Sequence, residues 1–164
     1  MRTFYGKYRG RVENDVDPQG RARVQVSVPR VLGEGRLSWA EPCVPHAGPD
    51  QGFHTVPPRG AAVWVEFEGG DPDYPILAGG RWEANQAPAR GLPTAKVWKS
   101  ESVTITLSDL PGAEGLTVRV ASPTAPLPLT LSMTSDGIEL SVGASSIVLD
   151  GKQVAINKDA LVVT

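Results

Sequence analysis

Cysteine is nearly missing from these 164 residues: Cys43 stands alone. One thiol rules out an internal disulfide framework and any multi-cysteine zinc site, and it is most simply a buried small hydrophobe between Pro42 and Pro45. Long helices are nearly excluded too. Gly contributes 18 residues and Pro 15, and the longest run free of both is Thr94–Leu110. The centre of that run, Val103-Thr104-Ile105-Thr106-Leu107, alternates as a strand does. There is no apolar run of about 18 residues, the length a membrane helix needs. The opening Met1-Arg2-Thr3-Phe4-Tyr5-Gly6 lacks the apolar segment of a secretory signal, so the expectation is a chain made in the cytoplasm without a signal peptide. Net charge is −2, a poor match for a polyanion binder.

That charge is unevenly spread. Residues 1–36 carry eight basic and four acidic groups, against eight and fourteen in the remainder. This pattern fits a solvated strand face laced with cross-strand ion pairs. The sharper alternative is a docking surface for an acidic partner, protein or nucleic acid.

The first half reads as five short strands without a helix. They are Lys7–Glu13, Arg21–Val28, about Trp39–Val44, Ala62–Phe67 and Tyr74–Gly79. In the second of them Ala22, Val24, Val26 and Val28 alternate with polar residues, so one face is buried and one wet. Asn14–Gly20 and Gly69–Asp73 are turns, and Pro45–Gly60 is a loop. Five such strands suit a small, partly open barrel of the OB type. Residues 83–99 read as a linker, so the expected organisation is a barrel over 1–82 and a second domain over 100–164.

The second half has a different grammar. Apolar residues alternate in Val103/Ile105/Leu107, Leu116/Val118/Val120, Leu127/Leu129/Leu131/Met133, Ile138/Leu140/Val142, Ile147/Leu149, Val154/Ile156 and Leu161/Val163. Asp136-Gly137, Gly143-Ala144, Asp150-Gly151 and Lys158-Asp159 mark turns. A ribbon of these strands has one apolar side and nothing to cover it. Two further copies of the chain, related by closed rotational symmetry, would cover it. The expectation is an elongated trimeric β-helix or β-prism needle whose core holds Leu129, Leu131, Ile138, Leu140, Val142, Ile147, Leu149, Val154 and Ile156. An ordinary β-meander packed on the barrel is the alternative.

Several stretches carry a resemblance. Gly6-Lys7-Tyr8-Arg9-Gly10-Arg11-Val12, then Gly20-Arg21-Ala22-Arg23-Val24-Gln25-Val26, resembles the opening hairpin of the OB domain of phage-tail central spikes. Trp39–Pro45 resembles that family's third strand, and Gly60–Gly80 is the most specific match. The family is the baseplate assembly protein V / VgrG-like group of contractile phage tails, bacteriocins and injection systems. The resemblance implies a structural central spike at the distal end of the tail tube, in a virion baseplate or an assembled injection particle. Sheath contraction would drive it through a target envelope that it touches only transiently. The barrel would be the collar joining a hub protein to the needle. Some relatives insert a lysozyme domain between barrel and needle, and residues 83–93 are too short for one. Some carry a hub domain ahead of the barrel, so the hub is expected on another chain. Some end in a His-x-His that binds iron, whereas the histidines here are His46 and His54, both in the barrel loop. A separate PAAR-type cap at the C-terminal end is expected instead.

No catalytic constellation is present: there is no Gly-x-Ser-x-Gly elbow, no His-Glu-x-x-His and no phosphate loop, so an enzyme is not expected. No cofactor or metal is expected either. His46, His54 and Asp50 are better read as loop packing, and Glu66, Glu68, Asp71 and Asp73 as a structural turn. Trp39, Trp64, Trp82 and Trp98 serve better as anchors to the needle or a partner than as base-stacking platforms. The rival function is an OB-fold protein that binds single-stranded nucleic acid. The leading reading expects no nucleic-acid partner.

Overall fold

A computed structural model describes residues 2–158 and 160–163, so Met1, Asp159 and Thr164 lie outside the described residues, and with Asp159 part of the last expected turn. The chain forms two units, divided after Asn85. Both are built of β-strands, and no helix among the described residues is long and apolar enough to cross a membrane.

In the first unit, β1 (Tyr8–Asn14), β2 (Val24–Ser27), β3 (Leu37–Pro42), β6 (Ala62–Phe67) and β7 (Pro75–Gly80) close a barrel in the order β1-β2-β3-β7-β6. The period-two pattern explains the closure. Val12, Val24, Val26, Val28, Val63 and Val65 point inward and are fully buried, joined by Ala40, Phe67 and Leu77. Gly10 is needed in β1 because a Cβ there would meet Val65 Cγ2 at 3.0 Å and the Ser27 carbonyl at 3.1 Å.

The structure differs from four local expectations. The second strand begins at Val24, not Arg21, because Ala22 turns to φ +58°. That detour is held by Asp17, whose carboxylate accepts the backbone N–H groups of Gln19, Arg21 and Arg23 and two bonds from the Arg23 guanidinium, at 3.0 and 2.8 Å. The Arg23 hydrogen bonds, with the three backbone N–H groups behind them, hold the Asp17 carboxyl well below the usual carboxylate range. The barrel unit also contains a short α-helix, α1 (Pro29–Leu32), where Pro29 supplies a pre-set φ at its start, and a 3-10 turn at Glu68–Gly70. Within the long loop, β4 (Ala47–Gly48) and β5 (Gln51–Gly52) pair as a small hairpin. Cys43 is exposed rather than buried, since it follows β3 and its N–H bonds the Leu77 carbonyl at the barrel's rim.

The second unit is one antiparallel sheet of eight strands in chain order. They are β8 (Ala95–Lys99), β9 (Val103–Ser108), β10 (Gly115–Val120), β11 (Leu129–Thr134), β12 (Gly137–Val142), β13 (Ser145–Leu149), β14 (Val154–Ile156) and β15 (Leu161–Val163). The segment read as a linker over 83–99 therefore supplies an edge strand, β8, after a 3-10 turn at Pro88–Gly91. Pairing with β9 over Ala95–Lys99 overrides a weak local apolar pattern. Tight turns join the later strands. Asp150 accepts the N–H groups of Lys152 and Gln153, each at 3.0 Å, and these two bonds lower its pKa.

Candidate functional site: the uncovered face of the sheet

Residues opposite each other in neighbouring strands share a face, so the register sorts every side chain. One row runs Trp98, Ile105, Val118, Leu131, Leu140, Ile147, Ile156, Leu161, apolar across all eight strands. The adjacent row on the same face runs Lys96, Leu107, Leu116, Met133, Ile138, Leu149, Val154, Val163, apolar in seven of eight. Beside them lie Val103, Val120, Leu129 and Val142. At about 4.8 Å between strands, this stripe extends for roughly 34 Å. The lone charge in it, Lys96 on the edge strand, is paired with Asp109.

The opposite face is chemically unlike it. Its rows read Lys99, Thr104, Arg119, Thr130, Ser141, Ser146, and Val97, Thr106, Thr117, Ser132, Glu139, Val148, Ala155, Val162. Hydroxyl-bearing residues dominate its middle strands, and its apolar members, Val97, Val148, Ala155 and Val162, lie toward the two ends.

No second layer among the described residues of this unit covers the apolar face. Among its described residues only two apolar side chains are buried, Ala125 and Ala155. The nine residues expected to line an axis all fall on the one face, in three adjacent rows. Seven of them are 36–52% exposed, from Val154 to Leu140, and Leu131 and Ile156 are half-buried. Row-mates such as Ile105, Val118 and Leu161 were visible as alternating residues. Placing them in the same stripe needed the register, which a single strand does not carry. A contiguous apolar surface of this length marks a site of association.

The other expected features lie elsewhere. His46, Asp50 and His54 line an open depression of the barrel loop, and no three His, Cys, Asp or Glu side chains among the described residues are grouped to hold a metal ion. Glu66 pairs with Lys7 at 2.6 Å. Trp39 sits under the Arg23 guanidinium at 5.4 Å, Trp64 is half-buried opposite Arg9, and Trp82 and Trp98 are mostly exposed. Of the basic N-terminal groups, Lys7, Arg21 and Arg23 have acidic partners, whereas Arg9, Arg11, Arg30 and Arg36 form no ion pair among the described residues.

A closed five-stranded barrel followed by a one-layer sheet with a bare apolar face defines a class: a barrel module joined to a sheet built for sharing between chains. Comparison with known proteins gives the same division. Residues 8–82 match the type VI secretion system/phage-baseplate injector OB domain, and residues 96–162 match the phage baseplate V C-terminal trimerisation domain. The chain belongs to this baseplate V / VgrG-like family. It is also 34% identical over 82 residues to the actin cross-linking toxin VgrG1 of Vibrio cholerae serotype O1 (strain ATCC 39541 / Classical Ogawa 395 / O395). That match covers 49% of this chain and 8% of the toxin's length, so the toxin activity in that name belongs to the relative. Both matched domains are structural modules of injection machinery, and the second is one through which chains trimerise.

Proposed function

We propose that this chain is the structural central spike of a contractile, phage-tail-like machine. Three copies place their apolar stripes against one another, and the sheets wind into a β-prism or β-helical needle. Leu129, Leu131, Ile138, Leu140, Val142, Ile147, Leu149, Val154 and Ile156 face its axis. The barrel acts as the collar to a hub protein, and a PAAR-type cap closes the far end. The particle, a virion baseplate or an injection apparatus, carries the spike to a membrane that it contacts only in passage.

The uncovered apolar stripe carries this reading, together with the trimerisation-domain match. A single sheet with that face in water is unstable, while three faces closed on an axis are dry. The role requires stiffness rather than a reacting group. Axial load on such a shaft is borne by many backbone hydrogen bonds and by apolar packing between chains, so one chain cannot yield without disturbing two others. The reading therefore assigns no catalytic residue. Electron cryomicroscopy of the purified chain tests it. A threefold shaft with the stripe at its axis is expected, and a single copy whose stripe faces solvent would reject it.

A further inference from the structure

The barrel's ladder is short at one place. β3 pairs with β2 over Leu37–Ala40 but with β7 only at Glu41 and Pro42. Alternate residues of an antiparallel strand direct their N–H and C=O groups away from the partner strand. The first four residues of β3 thus have an edge that the barrel ladder does not use.

A groove of about 610 Å³ opens beside this edge. Its lining includes Ser38, Trp39, Glu68, Asp73, Tyr74 and Ile76, together with the charged side chains of Arg21, Arg23 and Glu41. Trp39 is braced by the Arg23 guanidinium, while Tyr74 is 62% exposed. The charges around the groove do not cancel. Arg23 is neutralised by Asp17 and Arg21 by Glu41, both at 2.8 Å. Glu68 and Asp73 form no ion pair among the described residues. Two uncompensated carboxylates therefore stand beside two aromatic rings and an open strand edge.

We propose that this groove receives an extended, Lys- or Arg-bearing segment of a partner protein as a strand added to β3. The backbone of that segment takes the unused ladder groups of Leu37–Ala40. Its cationic side chain reaches Glu68 and Asp73, with the aliphatic stem along Trp39 and Tyr74. The same two carboxylates repel a nucleic-acid strand or an acidic segment. The residues that line the groove all belong to the barrel unit.

Titration of the full chain with the synthetic peptide acetyl-Thr-Lys-Val-Lys-Thr-amide, followed by calorimetry and amide NMR, tests it. Saturable binding with shifts centred on Ser38 and Trp39 is expected. Glu68→Lys/Asp73→Lys should weaken it roughly tenfold or more. The milder pair Glu68→Gln/Asp73→Asn should weaken it in the same direction, and a glutamate-for-lysine peptide should not bind. No binding at millimolar peptide overturns the proposal, as does binding that the charge variants leave unchanged. A change in the chain's mass on charge reversal would assign the groove to a second copy and overturn it equally.

Discussion

Ile147→Asp is the perturbation that the register makes most informative. Ile147 lies in the fully apolar row, opposite Leu140 on one side and Ile156 on the other, and is 39% exposed in the single chain. Burying that remaining surface contributes about 1 kcal/mol per copy, a fraction of the roughly 1.5–3 kcal/mol for a whole aliphatic side chain. An aspartate there forfeits this gain and adds a desolvation penalty of several kcal/mol per ion. Over three copies the loss is on the order of 10 kcal/mol, or roughly seven decades in the assembly constant. Trimers present at micromolar concentration should disappear in light scattering. Val148→Asp is the control: one residue along, it sits on the opposite face, between Glu139 and Ala155. It should leave the trimer intact. If Ile147→Asp assembles normally, or if Val148→Asp is the variant that dissociates, the assigned face is wrong.

Other expectations are local. Asp17→Asn removes the carboxylate that holds the Arg21–Arg23 detour, so the barrel's melting temperature should fall, while Asp15→Asn, which keeps an amide oxygen able to accept the Arg59 N–H, should matter less. Because the folded-state pKa of Asp17 is depressed, its stabilisation is complete above the unfolded value and declines as pH drops below about 4. A barrel melting temperature that stays level from pH 6 to pH 2 would contradict this. Gly137 adopts φ +132° at the start of β12, and a Cβ there would drive into the Leu149 carbonyl oxygen. Gly137→Ala should cost about 1–3 kcal/mol and speed amide exchange in β12 and β13, whereas Ala144→Gly in the next turn should not.

How much was legible in the sequence depends on the range of the signal. The alternating valines of β2 and β6 marked the barrel's inward face because period two is a local property. The same period exposed the later stripe, since each strand from Val103 on carries its own short apolar line. What escaped was non-local or set by geometry. β8 depends on pairing with β9, not on its own composition. The β2 boundary was misplaced because Arg21 and Ala22 keep the alternating pattern while Asp17 pulls them out of the ladder. Cys43 looked buried from its type and its proline neighbours, but its position past the end of β3 sends it to the surface. The two long rows across the sheet needed hairpin registers, which the turns fix and no single strand encodes.

The most direct measurement is the mass of the purified chain by multi-angle light scattering across a hundredfold dilution. Three times 17.4 kDa, unchanged on dilution, is the expected result. A stable, folded species of 17.4 kDa would mean that one copy tolerates the bare stripe, and would contradict the account.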